Sequence, residues 1–171
     1  MIEQHYLDDC VFQLRKLKAQ ADKAMAQVDD SQFFALLDAD ANSIALIVKH
    51  VAGNMRSRWT DFLASDGEKT DRHRDTEFER ETSDTRGAIL ARWEAGWDLL
   101  FNTLTSLHPN DLGKTVTIRS EPHTVVQAIN RQVSHYSAHV GQIVLLAKHY
   151  AGPNWKTLSI PKKGRGVRGE G

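Results

Sequence analysis

The chain has 171 residues, enough for one domain with a sizeable core. Acidic and basic residues balance at 22 each, so no overall field favours nucleic acid or an anionic membrane. A single cysteine, Cys10, excludes an internal disulfide, and no stretch approaches the roughly 20 apolar residues of a membrane span.

The N-terminus, MIEQHYLDDC, carries acidic residues where a secretory leader needs a basic start and an apolar run. A cytoplasmic protein is expected. From about Glu3 to Val28, Leu7, Cys10, Leu14, Leu17, Ala21, Ala24 and Val28 recur at spacings of three and four, which predicts a first amphipathic helix. Asp29-Asp30-Ser31 reads as a break. A second helix is expected from near Asp40 to Ser65, with Ile44, Val48, Val51, Met55 and Phe62 on its inner face.

Residues 66–84 are rich in charge and poor in apolar groups, which predicts a long irregular connection anchored by Phe78. Its Lys69, Arg72 and Arg74 alternate with Asp71, Asp75 and Glu77, the pattern of a solvated loop rather than a phosphate clamp. A third helix, 85–107, carries Ile89 or Leu90, Trp93, Trp97, Leu100, Leu104 and Leu107 inward, and Pro109 lies just beyond it. The alternating KTVTIR segment has no second strand to pair with and reads as a strand-like connector. A fourth helix is expected from Pro122 to Tyr150. Trp155 to Ile160 are expected to dock on the helices. The basic, glycine-rich end should be disordered, giving a domain over 1–160 and a tail over 161–171. The pattern is that of an all-α, antiparallel four-helix bundle with room for a crossover between its second and third helices.

Residues four apart leave the same helical face, so His135 and His139 share one side of the fourth helix. Two imidazoles at that spacing can close on one divalent ion, although packed, hydrogen-bonded histidines explain the spacing as well. His50, Asn54 and Arg58 form a polar ladder at the edge of the second helix's inner face. A third histidine ligand from there would leave one position open to water or substrate, as in catalytic zinc sites. Among the other histidines, His5, His73, His108 and His149 are expected to be solvated, while His123 could border the site. The segment HYSAH lacks the glutamate of HExxH peptidases. No Walker loop, nucleotide-binding glycine pattern or GxSxG elbow is present. Cys10 lies on the first apolar stripe and reads as a small buried hydrophobe.

The strings KHVAGNMRSRWTDFL, RDTEFE and HYSAHVGQIVLLAKHYAG resemble the DinB-like superfamily, which includes YfiT-type metal-dependent hydrolases and low-molecular-weight thiol transferases. They look most like its uncharacterised, domain-of-unknown-function branch, and the resemblance runs from the first helix to Tyr150. It implies a four-helix bundle of DinB-like type with a long crossover between helices two and three. It also implies zinc or nickel held by His50, His135 and His139. Relatives that transfer bacillithiol or mycothiol, or isomerise maleylpyruvate, imply a thiol S-transferase or hydrolase acting on a small molecule, with a low-molecular-weight thiol as a second cofactor. Asn54 and Arg58 would then orient an anionic substrate. The alternative is a non-catalytic metal-binding or dimerisation module with a structural or vestigial site. For a homodimer the sequence offers only Leu145 on the outer side of the fourth helix.

Overall fold

The computed structural model describes residues 1–160; the tail expected over 161–171 lies outside the described residues. Helix α1 spans Ile2–Met25 and buries Leu7, Cys10, Leu14, Ala21 and Ala24, the stripe read from the sequence. The residues expected to break the chain instead start a short helix, α2, Asp30–Phe34. Asp29 accepts from the Gln32 backbone N–H at 2.8 Å and the Gln32 side chain accepts from the Asp29 N–H at 3.0 Å. This reciprocal pair satisfies two of the helix's free donors.

Helix α3, Ile44–Trp59, is shorter than expected at both ends. Ser43, not Asp40, caps it, its hydroxyl accepting from Leu46 N–H at 3.2 Å. At the other end Thr60 is extended, and Asp61 takes a left-handed backbone (φ 47°) that stops the ladder. Helix α4, Arg86–Ser106, is capped by Thr85 and buries Ile89, Trp93, Trp97, Leu100 and Leu104. Helix α5, Val125–Ala151, is capped by Thr124 and Gln127. It starts three residues after Pro122, which sits in a strand.

Helix α3 packs most extensively on α4, and α1 on α5; contacts of α3 with α5 and of α1 with α4 close the four-helix bundle. Gly96 lets α4 lie close against α3: a Cβ there would stand 3.2 Å from Met55 Cβ and Sδ. Tyr136 lies fully buried at the bundle centre, accepting from Trp59 Nε1 and donating to Asn54 Oδ1, both at 3.0 Å. Trp155 and Leu158 pack against the core as expected, but Ile160 is exposed.

The connector expected at 114–119 is one arm of a hairpin. Strand β1, Thr115–Ile118, pairs antiparallel with β2, Glu121–Thr124, through a two-residue turn at Arg119 and Ser120. Both turn residues have positive φ, 55° and 64°, a conformation usually given to Asn-Gly. A distant carboxylate holds them there: Asp66 accepts from Arg119 N–H at 2.9 Å and Ser120 N–H at 2.7 Å. Burial works to raise the Asp66 carboxyl, but these backbone donors and that of Glu68 outweigh it and hold it below the usual carboxylate range.

The crossover from α3 to α4 is irregular except for a 3-10 turn, Arg74–Phe78. Asp66 ties its start to the hairpin. Its far end is tied by the buried Lys49 ammonium, which donates to Asp84 Oδ2 at 2.8 Å and to the Glu79 carbonyl at 2.9 Å. The middle is fixed at the site described next.

Candidate metal centre

His50 projects from α3 and is 4 % exposed; His135 and His139 project from α5 and are half-buried. Helix geometry alone sets the α5 pair, and packing of α3 on α5 brings His50 to them. His139 Nε2 lies 3.0 Å from His135 Nε2, which lies 3.4 Å from His50 Nε2. Three nitrogens at ~2 Å from one tetrahedral ion stand about 3.3 Å apart, so the donor set fits a divalent metal.

The other ring nitrogens show why Nε2 is the converging atom. Glu77 Oε2 accepts from His50 Nδ1 at 2.8 Å, and Gln142 Oε1 accepts from His139 Nδ1 at 2.8 Å. With protons held on both Nδ1 atoms, two Nε2 lone pairs face His135. One Nε2–H on His135 could satisfy only one of them. A cation satisfies all three. Carboxylate and carbonyl partners of this kind fix ring orientation and tautomer in histidine metal sites.

Glu77 reaches His50 from the 3-10 turn of the crossover. Arg72 clamps it, Nε donating to Oε1 and Nη2 to Oε2, each at 2.8 Å. Arg72 Nη1 also donates to Glu68 at 3.1 Å. Burial pushes the Glu77 carboxyl up, but the hydrogen bonds from His50 and Arg72 prevail and hold it ionised, below its usual range. The sequence reading of this segment as a solvated loop is therefore corrected at two residues, Arg72 and Glu77, whose side chains are only 3 % and 9 % exposed, while Asp71, Arg74 and Asp75 are exposed as expected. Phe78, expected as the anchor, stacks on the His50 ring with centroids 4.6 Å apart.

Room for Glu77 depends on Gly53, one turn along α3 from His50. A Cβ at residue 53 would collide with the Glu77 carboxylate, its Cδ lying only 2.8 Å away. Gly53→Ala is expected to displace Glu77 and lower metal affinity roughly 10–100-fold, as loss of such a partner does elsewhere. Metal titration of the variant checks this; unchanged affinity would show that Glu77 does not orient His50.

Burial, reinforced by His139 and His50, lowers the His135 pKa to about 3. Burial also lowers that of His139, against the Gln142 hydrogen bond. Both imidazoles therefore stay neutral at pH 7, the form that ligates metal.

Residues 1–164 match the model of a family described as "Protein of unknown function (DUF1572)". The chain belongs to the DUF1572 family. That family is related to the DinB superfamily, in line with the helical bundle and extended crossover seen here. No curated protein matches the chain.

In this DUF1572 chain the remaining polar residues flagged by sequence fall into two groups. Asn54 and Arg58 continue the α3 ladder from His50 and line a cavity of about 210 Å³ that reaches His50 and His135. Both are buried, at 5 % and 3 % exposure, rather than at an edge. Asn54 also holds the Tyr136 hydroxyl. Away from the cluster, His5, His73, His108 and His149 are exposed. His123 stands in β2, with its Nε2 3.4 Å from Arg131 Nη1, and takes no part in the cluster. Glu77, Arg72, Arg119 and Arg131 were not legible as site residues, because they lie on a loop, a turn and an exposed helix face that carry no apolar period. Cys10 is buried in the core, as expected. No helix among the described residues is long and apolar enough to cross a membrane.

Proposed function

We propose that the protein is a metal-dependent enzyme that substitutes a thiol or water at an electrophilic small molecule. The observation that carries this reading is the convergence of three Nε2 atoms whose opposite nitrogens are held by Glu77 and Gln142. His50, His135 and His139 would hold the ion; three imidazoles suit zinc, nickel, copper or iron, and the DinB-like resemblance points to zinc or nickel among these. Such an ion polarises a substrate oxygen and raises the thiolate or hydroxide fraction at neutral pH.

The histidines act as neutral ligands, and Glu77 keeps His50 in the required tautomer. Asn54 and Arg58 orient substrate from the cavity wall. The residues lining that cavity are histidine, asparagine, glutamine and arginine, with no cysteine, serine or carboxylate among them. A nucleophile must therefore come from outside the chain, as a low-molecular-weight thiol or water. Its sulfur or oxygen bonds to the electrophilic carbon, its proton leaves to solvent, and the leaving group departs with the electron pair. A closed structural site would need a fourth protein ligand, and the cluster offers three among the described residues.

Metal-loaded protein is expected to turn over at least one member of a panel pairing thiols or water with small electrophiles, and His139→Ala to lose that turnover. Cobalt-substituted protein should change its visible spectrum on adding azide or a small thiol. A panel without turnover above the His139→Ala control, together with an unresponsive cobalt spectrum, would leave a non-catalytic metal-binding module.

A further inference from the structure

The cavity beside the histidines carries an unusual charge. Five of its lining residues are arginines: Arg58 from α3, Arg72 and Arg74 from the crossover, Arg119 from the hairpin turn and Arg131 from α5. Arg72 is matched by Glu77 and Glu68, Arg119 by Glu68 at 3.3 Å, and Arg74 stands 4.0 Å from Asp75. Arg58 is not matched in this way. Its guanidinium is 3 % exposed, Nε and Nη1 have no hydrogen-bond partner, and the nearest carboxylate oxygen, Glu68 Oε2, is 3.9 Å from Nη2. Arg131 has no carboxylate partner among the described residues, and its side chain's one hydrogen bond there is with the His123 ring, at 3.4 Å. Burying a guanidinium without a hydrogen-bonded counter-charge is costly, and proteins rarely keep such a group without use for it.

The surroundings are built at a cost as well. Arg119 is aimed from a turn whose positive φ values depend on Asp66. Strained backbone held by distant contacts concentrates at ligand sites. The cavity's ~210 Å³ is below the roughly 300–1,000 Å³ of pockets for drug-sized molecules, so its occupant is small.

We infer that this cavity is an oxyanion seat: it takes the carboxylate or phosphate of a small anionic substrate on Arg58 and Arg131 and presents the rest of that molecule to the histidine cluster. The inference deepens the proposed function by naming the substrate class, and rests on it only for where the reactive end lies. Guanidinium groups suit this role because their paired N–H donors match two oxygens of one carboxylate or phosphate.

The test uses the full-length protein at pH 7.5, with and without metal, titrated by calorimetry with inorganic phosphate and with malonate. Thermal melts run in parallel against chloride at equal ionic strength. At least one of the two anions should bind the metal-free protein and raise its melting temperature above the chloride control. Arg58→Met and Arg131→Ala should each weaken that binding more than tenfold. Arg58→Met is expected to melt no lower than wild type without anion, since it removes a buried charge that no hydrogen bond meets. If Arg58→Met fails to fold, the exposed Arg131→Ala carries the test. Absence of binding by both anions, or wild-type affinity in the variants, overturns the seat. Anion binding without metal uptake would support the seat while removing the metal reading; metal uptake without anion binding would remove the seat alone.

Discussion

His135→Ala is expected to lose stoichiometric metal while keeping the helicity and cooperative melting of the parent protein. The metal loss follows from geometry. His135 Nε2 is the middle atom of the cluster, 3.0 Å from one neighbour and 3.4 Å from the other, and its removal leaves a two-nitrogen site. Disturbing the partner of a ligand already costs roughly 10–100-fold in affinity, so deleting the ligand should exceed that range. Retained folding follows from the core, which is a continuous apolar cluster from Leu7 to Ala147 and includes none of the three histidines.

The same variant has a pH signature. His135 binds a proton near pH 6.5 when unfolded but only near pH 3 in the folded protein. Between those values the unfolded chain holds the extra proton, so stability is full above about pH 6.5 and declines as pH falls towards 3. His135→Ala removes that contribution and should melt with a flatter pH dependence between 6.5 and 4. In the parent, metal content should hold through the ordinary imidazole range and fade only as pH falls towards 3, where protons compete for His135. Elemental analysis of untagged protein, circular dichroism and melts at several pH values check these points. Equal metal content in both proteins would remove His135 from the site, and collapse of helicity would make the metal structural.

Both ends of this site were unequally legible in the sequence. The four long helices were, because each buries a three-four stripe such as Ile89, Trp93, Trp97, Leu100 and Leu104 on α4. The α5 histidine pair was also legible, since a one-turn spacing fixes it without tertiary information. Their partner His50 was legible as the first member of a polar ladder on the same helix as Asn54 and Arg58, the family resemblance points to it as a ligand, and only the packing of α3 against α5 places its ring. Tyr136, fully buried next to a half-buried histidine, carries no such signal, because a tyrosine among polar neighbours on a helix does not by itself announce burial.

The hairpin and the crossover were hidden for a different reason. Their conformations rest on contacts between residues far apart in the chain. Arg119-Ser120 carries no local turn signal, because its positive φ values are stabilised by Asp66, more than fifty residues away. A run such as Asp71, Arg72, Arg74, Asp75 and Glu77 reads as solvent-facing by composition. Which of its charges turn inward depends on the gap that Gly53 leaves on α3 and on the His50 Nδ1 atom waiting there. Charge patterning locates such loops on the surface on average and says nothing about the one pair that does not follow the average.

That pair gives the second large effect. Glu77→Ala is expected to lower stability and metal affinity together. It strips Arg72, whose side chain is 3 % exposed, of two 2.8 Å hydrogen bonds and leaves a buried cation facing a void. Breaking a buried pair from one side costs about 3–5 kcal/mol. Glu68, still 3.1 Å from Arg72, places this case near the lower end. At about 3 kcal/mol, a chain of this length should melt roughly 6–12 °C lower. The Glu77 carboxyl is held below its usual range, so its contribution is present at neutral pH and is lost as pH falls through the folded-state value. Metal affinity should drop about 10–100-fold, because His50 loses the acceptor that fixes its tautomer.

The double variant Arg72→Met with Glu77→Leu separates the two consequences. Replacing both members of a buried ion pair by apolar groups of similar size is often neutral or stabilising, so the double variant should recover most of the melting temperature. It has no acceptor for His50 Nδ1, so metal affinity should stay low. Recovery of stability without recovery of metal binding identifies Glu77 as a positioning residue for the metal ligand. If the double variant binds metal like the parent, Glu77 serves only to neutralise Arg72, and the His50 orientation is set by its stacking on Phe78.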